Sequence, residues 1–69
     1  MIPNPAEYCI QTLTGSTTRR CVWLDDAISQ VLEADPDAEI LDASIRFPGT
    51  PWLPVGASAL SRALTLIGI

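Results

Sequence analysis

The sequence predicts a small α+β domain in the order ββαβα, with a three-stranded antiparallel sheet and two helices. Three observations predict it: two β-rich runs flank a Gly-Ser pair at residues 15–16, an apolar stripe of helical spacing begins at Leu24, and apolar and polar residues alternate strictly over residues 41–47. A chain of 69 residues forms one domain at most, because at this size folding buries only about 60% of the surface exposed by the unfolded chain. The whole of 1–69 is therefore read as a single domain.

In chain order, "MIPNPAE" predicts an irregular arm over residues 1–6, since each proline removes a donor and holds its predecessor extended. Strand character follows in Tyr8 to Thr14 and Thr17 to Trp23, joined through Gly15-Ser16 as a two-residue II′ turn. That register sets Gln11 opposite Arg20, Ile10 opposite Cys21 and Tyr8 opposite Trp23. One face then carries Tyr8, Ile10, Cys21 and Trp23, the better core face; the other carries Cys9, Gln11, Leu13, Arg20 and Val22. The two cysteines fall on opposite faces, so they are expected to be reduced and buried, as suits a cytoplasmic protein.

Asp25 or Asp26 is the expected N-cap of the first helix, and the acidic pair suits the positive end of its dipole. Leu24, Ile28, Val31 and Leu32 form its apolar stripe. The helix should stop near Ala34, because Asp35 precedes Pro36 and is pushed out of the α region. Leu41, Ala43, Ile45 and Phe47, alternating with Asp42, Ser44 and Arg46, predict the third strand. A proline-rich loop over 48–55 follows. In the second helix Leu60, Ala63, Leu64 and Ile67 share one face, while Ser58, Ser61, Arg62 and Thr65 lie largely on the other. The first helix already covers the sheet, so the second is expected to pack across a homodimer interface through Leu60, Leu64, Leu66 and Ile67.

Composition narrows the function. Eight acidic residues against four basic ones give a net charge of −4, which argues against nucleic-acid binding as the main activity, since phosphate contacts need clustered cations. The chain has no histidine, so it lacks the usual near-neutral acid–base group and the commonest metal ligand. Cys9 and Cys21 have no base to activate them, and Asp25 and Asp26 point apart on a helix. No CxxC, calcium-loop or Walker A spacing occurs. The expectation is no enzyme, no cofactor and no metal. No signal peptide or membrane span is read in the sequence, which predicts a cytoplasmic location.

What remains is protein binding. "FPGTPWLPVG" concentrates three of the six prolines and one of the two tryptophans in residues 47–56. Prolines fix φ at three sites and stiffen the loop, and a stiff loop loses little entropy on docking. Trp52 and Leu53 at its crest, with Arg46 and Phe47 leading into it, are the expected contact residues, because aromatic and aliphatic anchors dominate interface energetics. The alternative role for Trp52 is to fold back over a small core. Asp26 and Glu33 belong to an acidic series that would steer a basic partner or imitate DNA phosphates.

With 48% hydrophobic residues and positive mean hydropathy, apolar surface is left over on an acidic chain without a catalytic set. In this combination of size, charge and element order the chain resembles the small early proteins with which bacteriophages bind and disable host proteins. Within that group it is similar to anti-activators that inhibit a quorum-sensing transcription regulator, and anti-CRISPR proteins are near neighbours. The resemblance includes no specific motif and assigns no residue. It implies a cytoplasmic homodimer acting by stoichiometric binding, with a host transcription regulator or pilus ATPase among its targets. The alternatives are an anti-CRISPR or DNA-mimic inhibitor, and a structural or assembly subunit with no inhibitory role.

Overall fold

A computed structural model describes residues 4–68. It contains β1 (Ala6–Thr12), β2 (Gly15–Cys21), α1 (Leu24–Ala34), β3 (Ile40–Arg46), β4 (Leu53–Pro54) and α2 (Ala57–Leu66). The class is α+β, with both expected helices and an antiparallel sheet. That sheet has four strands rather than three, in the order β2-β1-β3-β4. The added strand lies inside the proline-rich loop: Ile45 pairs with Leu53 and Ser44 with Pro54. Pro54 has no N–H to give, and the ladder continues one residue later, where the Val55 N–H donates to the Ala43 carbonyl at 3.0 Å.

The hairpin register differs from expectation. Thr12 pairs with Gly15, Ile10 with Thr17, Tyr8 with Arg19 and Ala6 with Cys21, so the turn is Leu13-Thr14 and Gly15 opens β2. Among the described residues no non-glycine has positive φ, whereas Gly15 sits at φ +142°. The glycine thus relieves the turn from just outside it, in a conformation that a side chain would strain. The displacement is even, so each residue keeps its predicted face. Trp23, however, drops off the strand and becomes the residue before α1, 60% exposed. The N-cap is Trp23, with no side-chain bond; Asp25 and Asp26 lie in the first turn instead. Their carboxylates still meet the positive end of the dipole.

Both helices cover the same face of the sheet. α1 packs over β2 and β1, and α2 packs against α1 and β3. Between the layers Ala6, Tyr8, Ile10, Cys21 and Ala43 from the strands meet Ala27, Ile28, Val31 and Ala63 from the helices, with Ile10 and Ile28 completely enclosed. The end of α1 is as predicted: Asp35, before Pro36, leaves the helix at φ −143°. In β3 the alternation slips at one end, because a bulge between Gln11 and Thr12 sets Thr12 opposite Ile40. Ile40 packs against the core, and Leu41, expected inside, is 48% exposed. Residues 1–3 of the expected arm lie outside the described residues, and Ala6, expected in that arm, is a buried strand residue. The second helix needs no subunit interface to cover it, because a four-stranded sheet has room for two helices on one face.

Candidate functional site

The period-two geometry of β1 and β3 leaves Glu7, Cys9 and Gln11, with Asp42, Ser44 and Arg46, on the face without helices. At the β4 end of this face, Glu7 and Arg46 are directly paired residues. The Arg46 Nη2 group donates to both Glu7 carboxylate oxygens, at 3.0 and 3.1 Å. The Arg46 guanidinium carbon also lies 4.5 Å from the centre of the Trp52 ring, a cation–π distance. One arginine is therefore fixed by a carboxylate at its edge and an indole on its face. Neither bond to Glu7 uses Nε or Nη1, and neither atom has a hydrogen-bond partner among the described residues.

The loop that carries Trp52 is closed by its own chemistry. Phe47-Pro48-Gly49-Thr50 forms a turn with Gly49 at φ +79°, as a type II turn with proline at its second position requires. The Thr50 N–H and hydroxyl both donate to the Phe47 carbonyl, at 3.0 and 2.8 Å, and the Phe47 N–H donates to the Thr50 hydroxyl at 3.0 Å. Phe47, Trp52 and Leu53 stay exposed beside it, at 49%, 38% and 51%. Trp52 is absent from the core cluster, so it does not roof the core; it lies on the surface, against Arg46.

Four of the six expected partner-binding residues, Arg46, Phe47, Trp52 and Leu53, are thus brought to one end of the sheet. Asp26 and Glu33 are not. They line a cleft of about 330 Å³ with Arg20, Ser29 and Gln30, between α1 and β2, and β2 lies three strand spacings from β4, roughly 14 Å across the sheet. Of the four residues expected at a dimer contact, Leu60, Leu64 and Ile67 pack partly against the chain's own core, and Leu66 is 70% exposed. Leu66 borders a second cleft, of about 360 Å³, with Tyr8, Trp23, Asp25 and Arg62. Burial pushes the Tyr8 phenol above its ordinary range, and Cys21 and Asp25 add to the effect.

Sequence reasoning missed Glu7. Its only signal is the β1–β3 register, which joins positions 39 residues apart. Among the described residues no group of three or more His, Cys, Asp or Glu is arranged to hold a metal ion, and no helix is long and apolar enough to cross a membrane. In comparisons with known proteins, the chain matches no family model, no curated protein and no solved structure.

Proposed function

We propose that this chain is a small acidic binding protein that inhibits a bacterial host protein by stoichiometric docking, with Arg46, Phe47, Trp52 and Leu53 as the contact surface. The observation that carries the reading is the immobilised arginine: Glu7 and Trp52 hold Arg46 in one orientation before any partner arrives. Ordering a free arginine at an interface costs about 0.5–1.5 kcal/mol, and this one is already ordered. Tryptophan, arginine and an exposed apolar rim are the composition of an interface hot spot. The target class is a regulator or assembly ATPase whose contact surface offers a carboxylate or carbonyl to the free Arg46 nitrogens.

Affinity capture from a bacterial lysate, run in parallel with wild-type protein and the Trp52→Ala variant, tests it. The expected result is one near-stoichiometric protein on the wild-type resin, with affinity for the variant weaker by at least about 2 kcal/mol, the hot-spot threshold. The variant's melting temperature should stay near wild type, since Trp52 is outside the core. A variant that captures the same protein equally well would remove the surface from consideration. Self-assembly with no captured protein would favour the structural-subunit alternative.

A further inference from the structure

The two edges of the sheet are unlike. β4 is two residues long and contains Pro54, so it offers little to a pairing strand. β2 runs for seven residues, Gly15–Cys21, without proline. In a hairpin closed by a two-residue turn, the pair that flanks the turn exchanges hydrogen bonds, as does every second pair after it. Gly15, Thr17, Arg19 and Cys21 therefore direct their backbone groups to β1, and Ser16, Thr18 and Arg20 direct theirs outward. An outward row of this kind is a template for another strand. Its one guard is the Arg19 side chain, which donates to the Thr18 carbonyl at 3.0 Å on the exposed surface.

Charge identifies what fits against this row. The surface beside it is the cleft where α1 presents Asp26, Ser29, Gln30 and Glu33, residues at i, i+3, i+4 and i+7 and hence on one side of the helix. With Arg19 and Arg20 on β2, this strip holds two cations and two carboxylates. Of the chain's eight acidic and four basic residues, six acids and two bases remain for all other surfaces. The one ion pair among the described residues, Glu7 with Arg46, lies elsewhere, so the four charges of the strip are available to a neighbour. The strip is the neutral part of an otherwise negative molecule, where two copies can approach without mutual repulsion.

We infer that β2 pairs antiparallel with β2 of a second copy, making one continuous eight-stranded sheet. A two-fold axis at Thr18 sets Ser16 opposite the partner subunit's Arg20, Thr18 opposite the partner subunit's Thr18, and Arg19 opposite the partner subunit's Thr17. No arginine then faces an arginine directly. The contact is self-complementary, as an isologous dimer requires. Each α1 lies over β2 and β1 of its own copy, so the two helices flank the junction; Arg19, paired with Tyr8, shares their face of the sheet and meets the acidic side of the opposite helix, whereas Arg20, paired with Glu7, stands on the open face. The proposal stands independently of the docking surface at Trp52, which lies at the other end of each sheet.

Light scattering on the full chain across a concentration series should show the mass rising from 7.4 kDa to twice that value. Thr18→Pro removes an outward donor and should leave a folded monomer, judged by circular dichroism. Arg19→Glu should weaken the dimer by tenfold or more through like-charge contact, on the order of 1.4 kcal/mol. Combining Arg19→Glu with Glu33→Arg should restore it, a pair of variants that decides the matter even if the proline variant does not fold. A mass of one chain at every concentration overturns the inference. So does a dimer that survives Arg19→Glu, and so does one dissolved by Leu66→Asp alone, which would place the contact on α2.

Discussion

Along β1, Ala6, Tyr8 and Ile10 face the helices, whereas Glu7, Cys9 and Gln11 face away, and the same alternation sets Ala43 and Ile45 of β3 against Asp42, Ser44 and Arg46. The covered side is built mostly of small and aliphatic side chains, with Tyr8 among them, because two helices must approach the sheet closely. The open side is polar and holds an arginine between a carboxylate and an indole. Adjacent residues of one seven-residue strand thus belong to two chemically different surfaces, one packed and one open. A substitution can reach one face while leaving the other almost untouched.

Ile10 and Gln11 give the sharpest test of that separation. Ile10 is fully enclosed, and Ile10→Ala should destabilise the domain by roughly 2–5 kcal/mol, a large share of the roughly 5–15 kcal/mol that domains generally possess. Gln11→Ala, one residue on and exposed, should stay within about 0.5 kcal/mol of wild type. Urea unfolding of both variants measures the contrast, and equal losses would mean that the open face is a packing surface too.

The cysteines sample the same two faces. Cys21 is buried, and Gln30 Nε2 donates to its sulfur at 3.1 Å; Cys9 is half-buried on the open side, and both are free thiols. A thiol reagent added to native protein should modify Cys9 first and Cys21 only as the domain opens, with the difference vanishing in denaturant. If Cys21 reacts first, the assignment of faces is wrong.

Tyr8 gives the smallest effect. Burial first, then Cys21 and Asp25, raise its pKa above the ordinary 10.0, so the folded protein keeps the phenolic proton at pH values where the unfolded chain has lost it. Its contribution is full below pH 10 and is lost as pH rises through the raised value. Thermal melts should therefore show a decline above pH 10 that Tyr8→Phe reduces. At neutral pH the substitution should matter little, because the hydroxyl's bond to the Val22 carbonyl is long, at 3.5 Å.

The helices and the faces were legible because they depend on local period: the stripe of Leu24, Ile28, Val31 and Leu32, and the alternation that separates Cys9 from Cys21, need no knowledge of distant partners. The turn was not legible. Gly15-Ser16 carries the usual turn composition, but Leu13-Thr14 forms the turn and uses Gly15 as the residue after it. β4 was hidden because its two residues include a proline, and its pairing depends on β3 and on the carbonyl of Ala43. Trp52 could be read as a core or a surface residue until the β1–β3–β4 register placed Arg46 beneath it. Glu7 had no local signal at all.

The Glu7–Arg46 pair spans 39 positions, and this has a kinetic consequence. The β1–β2 hairpin can form within about 1–10 µs of its residues being free to move. Joining β1 to β3 must close a loop that includes all of α1, an entropic cost that the hairpin does not bear. Chain elongation at roughly 5–20 residues per second delivers Glu7 seconds before Trp52. A nascent or truncated chain therefore displays the carboxylate without the cation and indole that complete the surface, so the proposed docking patch exists only on molecules whose folding has finished.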